Sequence, residues 1–239
     1  MATILVTGGT GTLGRPTVEH LRAAGHDVRV LSRTTGPGVI TGDLTRGSGI
    51  AAAVDGVDTI VHLATALGRR DVPQTRNLLQ VTPASTHVVV MSIVGIDRIP
   101  LPYYRYKLEV ERLVADSGTP YTILRATQFH NLIDRIFSVR LPVLLAPSVT
   151  LQPIAVEDVA VRLTELVADL PVNGRAPDIG GPERRRVADL ARVWKAARSS
   201  RRPVVGVRVP GKVFRAYASG AALVDGPSYG RITFEEYVG

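Results

Sequence analysis

The stretch TILVTGGTGTLGRPTVEHL, residues 3–21, determines the fold that we predict for this chain. Its apolar residues 4–6 are typical of a short buried strand, and a glycine-rich turn follows at once. An amphipathic segment then brings Leu13, Val18 and Leu21 to one face, as in a helix that packs on a sheet. The stretch therefore predicts a strand, a tight turn and a helix in immediate succession.

The glycines of this turn, Gly8, Gly11 and Gly14, are spaced three residues apart. Without side chains they permit a sharp turn and let the backbone approach a ligand closely. The N-terminus of the following helix favours an anion at that point. Between a first strand and a first helix, this pattern indicates a dinucleotide site rather than an ordinary loop. The residues expected to contact the dinucleotide here are Thr7, Gly8, Thr10, Gly11, Thr12, Leu13 and Gly14.

Composition limits the class of protein. The chain has 239 residues, of which 45% are hydrophobic, and this suits one α/β domain. It has no Cys, and its five His lack metal-ligand spacing, so we expect no metal. No apolar run is long enough to span a membrane, and no basic leader precedes the first strand, so we expect a cytoplasmic protein without a membrane partner.

The formal charge of +8 raises the question of a nucleic-acid partner. The densest basic stretches are residues 184–186 and 198–202, and neither alternates with aromatic residues as base-stacking surfaces do. We interpret them as solvated faces and predict a small-molecule substrate, with no nucleic acid and with the protein as a monomer or homodimer.

The end of the second predicted strand, residues 27–31, bears on cofactor choice. In dinucleotide folds an acidic residue at this point binds the ribose 2′-hydroxyl, whereas an arginine accommodates a 2′-phosphate. This chain has Ser32 and Arg33 there, and no carboxylate until Asp43. The sequence therefore favours NADP(H) over NAD(H), unless Arg33 is one more surface arginine in an arginine-rich chain.

A second cluster of reactive residues lies on the helix predicted over residues 103–114. Tyr103 and Lys107 are four residues apart and so share one helix face. A free phenol has a pKa of about 10. A nearby ammonium and the helix dipole would both stabilise the phenolate, so we expect a lowered pKa at Tyr103.

Several motifs carry a resemblance to a known family. The spacing TGxxGxxG, with the later stretches SIVGID, YYRYKLEVERLV and TILRATQFH, resembles the short-chain dehydrogenase/reductase superfamily, and within it the atypical, NmrA-like NAD(P)H-binding group. The resemblance weakens after about residue 182. It implies one Rossmann-type domain over residues 1–239, a doubly wound parallel sheet. Residues 1–130 would form the cofactor-binding core, and residues 131–239 would complete the sheet and add a small lobe that covers the substrate.

The resemblance also implies roles for single residues. Tyr103 would donate a proton to a substrate carbonyl, Lys107 would hold the nicotinamide ribose, and Ser92 would hydrogen-bond the same carbonyl. The interval from Ser92 to Tyr103 is shorter than in classical members, and Tyr104 and Tyr106 compete for the role of acid. Only Tyr103 has a lysine at the required spacing.

Further contacts follow from the family's pattern. The remaining cofactor contacts would be Ser32, Arg33, Asp43, Leu44, Leu63, Ala64, Thr65, Ala126, Thr127 and Phe129. The substrate contacts would be Gln128, His130 and Asn131. His62, inside an apolar strand, is interpreted as a core histidine, and Asp158 as a residue that caps or braces a helix.

The function predicted from these features is hydride transfer from NADPH to the carbonyl or quinone of a small, largely apolar molecule. Two alternatives stay open. One is a regulator that senses NAD(P) without turnover, as some NmrA-like proteins do, although such a protein has no need for Tyr103 and Lys107. The other is an isomerase or tailoring enzyme that uses the bound nucleotide.

Overall fold

The computed structural model describes all 239 residues, Met1–Gly239. The chain divides into two compact units. The first comprises Met1–Ser92, Pro102–Arg125 and Val159–Pro177, and the second comprises Ile93–Leu101, Ala126–Asp158 and Asp178–Gly239. The units alternate along the chain, and the assignment of residues 1–239 to one domain stays a prediction.

The first unit is built on a parallel sheet of seven strands. The strands are β1 (Thr3–Thr7), β2 (Asp27–Ser32), β3 (Val39–Thr41), β4 (Thr59–His62), β5 (His87–Ile93), β6 (Tyr121–Ala126) and β9 (Gly174–Arg175). Their order across the sheet is β3-β2-β1-β4-β5-β6-β9. This is the doubly wound Rossmann order, and it confirms the predicted fold class.

Helices connect these strands. They are α1 (Gly14–Ala23), α2 (Ile50–Val54), α3 (Asp71–Val81), α4 (Pro102–Ala115) and α6 (Val156–Ala168). Residues 4–6 of β1 have no solvent exposure, as expected of a central strand. Leu5, Ile60 and Leu78 pack in one apolar cluster, while Val88, Val110 and Ile123 pack in another.

The second unit has its own core. Its elements are α5 (His130–Ser138), β7 (Leu144–Pro147), β8 (Thr150–Leu151), β10 (Arg185–Arg186), α7 (Val187–Ala197), β11 (Val204–Val207), α8 (Lys212–Ala218) and α9 (Phe234–Val238). β7 pairs in parallel with β11, and β8 pairs antiparallel with β10. Phe137, Leu190, Trp194 and Phe234 pack at the centre of this unit.

The sequence of residues 66–86 allows a short helix over Asn77, Leu78, Leu79 and Val81, closely bracketed by Pro73 and Pro83. In the structure this helix is α3, which is longer and has Pro73 as its third residue. A proline is tolerated in a first turn, where its N–H would have no intrahelical partner. The nonpolar residues 139–145, which the sequence favours as a lid or pocket wall, run into β7. The sequence also predicts a helix over residues 212–223, and in the structure this helix, α8, ends at Ala218.

No helix combines the length and the apolar character that crossing a membrane requires.

Candidate functional site

The glycine turn after β1 leaves no room for side chains at two of its positions. Gly8 has a φ of +72°, and a Cβ there would lie 2.8 Å from the backbone nitrogen of Ala64, just past β4. A Cβ on Gly14 would overlap the carbonyl oxygen of Gly8. Glycine is therefore required at both positions by backbone contact, which holds the turn against the ends of β1 and β4.

The outer part of the turn is open. Thr10, Gly11 and Thr12 are exposed, and a Cβ on Gly11 would meet only the Gly8 carbonyl oxygen, at 3.1 Å. α1 starts after Leu13 with no side-chain cap and with no acidic residue in its first turn. Its positive N-terminal end is therefore not neutralised by the chain. These features fit the pyrophosphate of a dinucleotide.

The residues at the end of β2 differ in their freedom to bind a ligand. Arg33 is exposed, while the Ser32 hydroxyl oxygen accepts a hydrogen bond from the Thr34 backbone at 3.3 Å. The Asp43 carboxylate accepts one from the Thr45 backbone N–H at 2.7 Å, and this bond lowers the pKa of Asp43. Leu44 packs in the core. Asp43 thus stabilises its own turn, whereas the charged Arg33 side chain at the end of β2 is exposed to solvent.

His62, at the end of β4, is a core histidine, as the sequence indicated. The Thr75 hydroxyl donates to the Asp71 carbonyl, so it accepts from His62 Nε2 at 3.0 Å, and Nδ1 lies 2.7 Å from the Thr7 hydroxyl. Burial, with the charge of Lys107, lowers the pKa of His62 to about 3. Both ring nitrogens therefore have partners and the ring stays neutral near pH 7.

Tyr103 lies in the first turn of α4 and contacts Thr65, which is three residues beyond the end of β4. Its hydroxyl is 3.2 Å from Thr65 Oγ1. The Thr65 hydroxyl also donates to Asp71 Oδ2 at 2.6 Å, and Asp71 Oδ1 accepts from the Ala66 backbone at 2.6 Å. The structure thus links Tyr103, Thr65 and Asp71 in one hydrogen-bonded chain.

Lys107 lies one turn further along α4 and is buried, with 8% of its surface exposed. Burial lowers its pKa, while the charges of Asp71 and Glu111 act in the opposite direction. Both Glu111 carboxylate oxygens also accept hydrogen bonds from Arg125, at 2.8 and 2.6 Å. Of the two acidic residues near Lys107, Glu111 is therefore paired with Arg125, whereas Asp71 has no arginine partner among these contacts.

The expectation of a lowered pKa at Tyr103 is wrong for this structure. Burial raises the pKa of the phenol. A hydrogen bond from Thr65 would lower this pKa if Thr65 were the donor, and the negative charge of Asp71 raises it. Lys107 and the dipole belong to α4 itself, whereas Asp71 comes from α3 and is brought near Tyr103 only by the fold. Of the competing tyrosines, Tyr106 packs against an apolar cluster and Tyr104 is buried, with its ring 6.2 Å from that of Tyr103.

The predicted contacts at the end of β6 belong to the second unit. Ala126 is buried, and Thr127 donates to the Gln152 carbonyl at 2.5 Å. Phe129 is the N-cap residue of α5, and the first helical residue, His130, has Nε2 2.9 Å from the Ile232 carbonyl. Backbone and side-chain bonds thus fix this segment before α5 begins.

Five buried side-chain polar atoms have no hydrogen-bond partner. They are Ser92 Oγ in the first unit, and Gln128 Oε1 and Nε2, His130 Nδ1 and Asn131 Oδ1 in the second. Buried polar groups are almost always paired in folded proteins, so each exception needs an explanation. All four residues were predicted from the sequence to contact substrate or the reacting carbonyl.

Asp158 braces the chain, as expected, although its partners lie outside its helix. Its carboxylate accepts hydrogen bonds from the backbone of Arg231 and Ile232, at 2.9 and 3.1 Å.

Asp71 is the residue that the sequence reasoning missed. It is buried at the start of α3, the helix whose start Pro73 obscured. An acidic residue at a helix start, shortly after the exit of a parallel strand, was the available signal.

The chain matches an NAD(P)H-binding family over residues 8–169. It therefore belongs to this NAD(P)H-binding family, and this confirms the NAD(P)H-binding family that the sequence predicts.

Curated relatives share parts of the sequence. The chain is 29% identical over 213 residues to the (4-alkanoyl-5-oxo-2,5-dihydrofuran-3-yl)methyl phosphate reductase of Streptomyces griseus, covering 80% of this chain and 73% of that protein. It is 25% identical over 135 residues to quinone oxidoreductase 2 of Escherichia coli, covering 51% and 47%. A 3-beta-hydroxysteroid dehydrogenase of Mycolicibacterium neoaurum is 39% identical over 71 residues, which cover 27% of this chain and only 19% of that protein.

Solved structures share the fold. The NADPH-dependent quinone oxidoreductase of Escherichia coli, complexed with NADPH, has a TM-score of 0.81 at 19% identity and covers 98% of both chains. The Citrobacter sp. triphenylmethane reductase, complexed with NADP(H), has a TM-score of 0.78 at 17% identity and covers 99% of this chain and 98% of its own.

Proposed function

We propose that this protein is an NADPH-dependent reductase that reduces the carbonyl or quinone of a small, largely apolar molecule. The observation that carries the proposal is the buried Ser92 hydroxyl, which has no hydrogen-bond partner and lies in the same unit as Tyr103 and Lys107. The oxygen of a bound carbonyl or quinone would supply the missing partner and remove the free-energy cost of leaving this hydroxyl unpaired.

The proposed reaction transfers one hydride and one proton to the substrate. A reduced nicotinamide, when bound, supplies the hydride to the carbonyl carbon. The Tyr103 hydroxyl gives its proton to the carbonyl oxygen, and the Ser92 hydroxyl donates a hydrogen bond to the same oxygen. Lys107 holds the cofactor ribose. The raised pKa of Tyr103 keeps the phenol protonated near neutral pH, as an acid for reduction must be.

Gln128, in the second unit, has a buried amide nitrogen and a buried amide oxygen that both lack partners, with only 8% of the residue exposed. In the same unit, His130 Nδ1 and Asn131 Oδ1 are further buried polar atoms without partners. A bound molecule that carries complementary donors and acceptors would satisfy these atoms.

NADPH consumption tests the proposal directly. The purified protein should oxidise NADPH with at least one member of a panel of apolar quinones and ketones, including members with a hydroxyl beside the carbonyl. A decrease in NADPH absorbance measures it. Tight NADPH binding with no consumption across the panel would overturn the reductase proposal and favour the sensing regulator.

Cofactor preference gives a second prediction. The wild-type protein should bind NADPH more tightly than NADH, and Arg33→Ala should remove about 1.5–3 kcal/mol from NADPH binding alone, because a bidentate phosphate contact is lost. Titration of cofactor fluorescence measures both affinities. Arg112→Ala, which removes another exposed arginine in the last turn of α4, is the control for net charge. Equal wild-type affinities for the two cofactors would contradict the assignment of Arg33.

A further inference from the structure

Asp71 is hydrogen-bonded close to Tyr103 but has no role in the proposed hydride and proton transfer. The residue is only 2% exposed, and both of its carboxylate oxygens accept short hydrogen bonds. Oδ1 accepts from the Ala66 backbone and Oδ2 from the Thr65 hydroxyl, each at 2.6 Å. Its position and its acceptors are therefore fixed by the segment that leaves β4.

The contacts of Thr65 determine where its hydrogen points. A carboxylate can only accept, so the single hydroxyl hydrogen of Thr65 is committed to Asp71. Thr65 Oγ1 also accepts from the Leu67 backbone N–H at 3.0 Å. The remaining neighbour, the Tyr103 hydroxyl at 3.2 Å, must then be a donor to Thr65. The bonds run in one direction, from Tyr103 through Thr65 to Asp71.

This direction opposes ionisation of the phenol. A phenolate at Tyr103 could no longer donate to Thr65, and Thr65 could stabilise it only by giving up its bond to Asp71. The Asp71 carboxylate would also lie near a second negative charge, which disfavours ionisation. The other charged groups around this part of α4 are Lys107 and the Glu111–Arg125 pair, while His62 is neutral.

We infer that Asp71 is a positioning residue that holds Tyr103 as a protonated acid by fixing the direction of the Thr65 hydroxyl. The inference rests on the proposed role of Tyr103. The phenol has one hydrogen, which turns from Thr65 Oγ1 to the substrate oxygen when the substrate binds. When the phenol O–H bond then breaks and an O–H bond forms on the substrate, the phenolate left behind has Asp71 as a neighbour. Recovery of a proton from solvent water is then favourable, so Asp71 also promotes the return to the starting state.

Titration of Tyr103 in the protein without cofactor tests the inference. Ultraviolet absorbance reports tyrosinate, and the difference between the wild type and Tyr103→Phe isolates this residue. The same difference is measured between Asp71→Asn and the double variant Asp71→Asn/Tyr103→Phe. At a pH below both midpoints, Asp71→Asn should raise the ionised fraction of Tyr103 by about tenfold or more, because a nearby like charge has been removed and the Thr65 hydrogen is released.

A matched control and a second variant show whether a change in the Tyr103 titration comes from Asp71 or from a folding defect. Asp55→Asn makes the same chemical change at an exposed position and should leave the titration of Tyr103 unchanged. If Asp71→Asn does not fold, Thr65→Val keeps the charge of Asp71 but removes the linking hydroxyl. It should raise the ionised fraction about threefold or more, as expected for one lost hydrogen bond, and Thr65→Ser should restore the wild-type curve.

Turnover gives an independent readout. In Asp71→Asn, reduction should begin to slow at a lower pH than in the wild type. This shift should match the lowered titration midpoint of Tyr103. An unchanged titration in folded Asp71→Asn, or in Thr65→Val where Asp71→Asn fails to fold, would overturn the inference even if the protein reduces quinones. Because the titration needs neither cofactor nor substrate, a protein that never consumes NADPH would defeat the proposed function while still showing whether Asp71 controls Tyr103.

Discussion

Tyr103→Phe should lower turnover of a carbonyl or quinone substrate by roughly 10²–10⁴, the usual contribution of a positioned acid. The ring and its contact with Tyr104 remain, and only the hydroxyl that donates to Thr65 is lost. We therefore expect NADPH affinity and melting temperature to stay close to the wild-type values. Steady-state NADPH oxidation, with fluorescence titration of the cofactor, separates loss of rate from loss of binding.

Two further variants sharpen this test. Tyr106→Phe removes a hydroxyl from a tyrosine that packs against an apolar cluster, so its turnover should be unaffected. Lys107→Met should lower both the rate and the NADPH affinity, because the proposed role of Lys107 is to hold the cofactor ribose in place for hydride transfer. A Tyr103→Phe protein with full activity would exclude Tyr103 as the acid.

Gly11→Val should abolish measurable NADPH binding while lowering the melting temperature of the cofactor-free protein only modestly. A side chain at Gly11 meets the chain itself only at the Gly8 carbonyl, so the fold can accept it with a small adjustment. The same side chain would project from the exposed part of the turn into the space where we place the pyrophosphate. Fluorescence titration and thermal melting measure the two effects separately.

Two glycines provide controls for this substitution. Gly226→Val makes the same change at an exposed position where a Cβ meets no atom, and it should affect neither property. Gly14→Val should instead destabilise the fold, since its Cβ would overlap the backbone of Gly8 and Gly9. Normal NADPH binding by Gly11→Val would mean that the phosphate site has been misplaced.

Much of the first unit could be predicted from the sequence because its signals are local. Residues 4–6, the glycine spacing and the apolar run in β5 each depend on neighbours in the chain, and they define a doubly wound sheet. The spacing of Tyr103 and Lys107 on one face of α4 is likewise a property of the helix alone. His62 was assigned to the core because the residues around it in β4 are apolar.

The tertiary structure decided the features that depend on residues distant in sequence. Thr65 and Tyr103 are 38 positions apart, and only the packing of the sheet and helices brings their hydroxyls to 3.2 Å. Asp71 enters the same chain of hydrogen bonds because α3 starts beside the exit of β4, and a proline in its first turn concealed the start of that helix from the sequence. The raised pKa of Tyr103 follows from burial and from a neighbouring carboxylate, and these are properties of three-dimensional position that residue spacing does not contain.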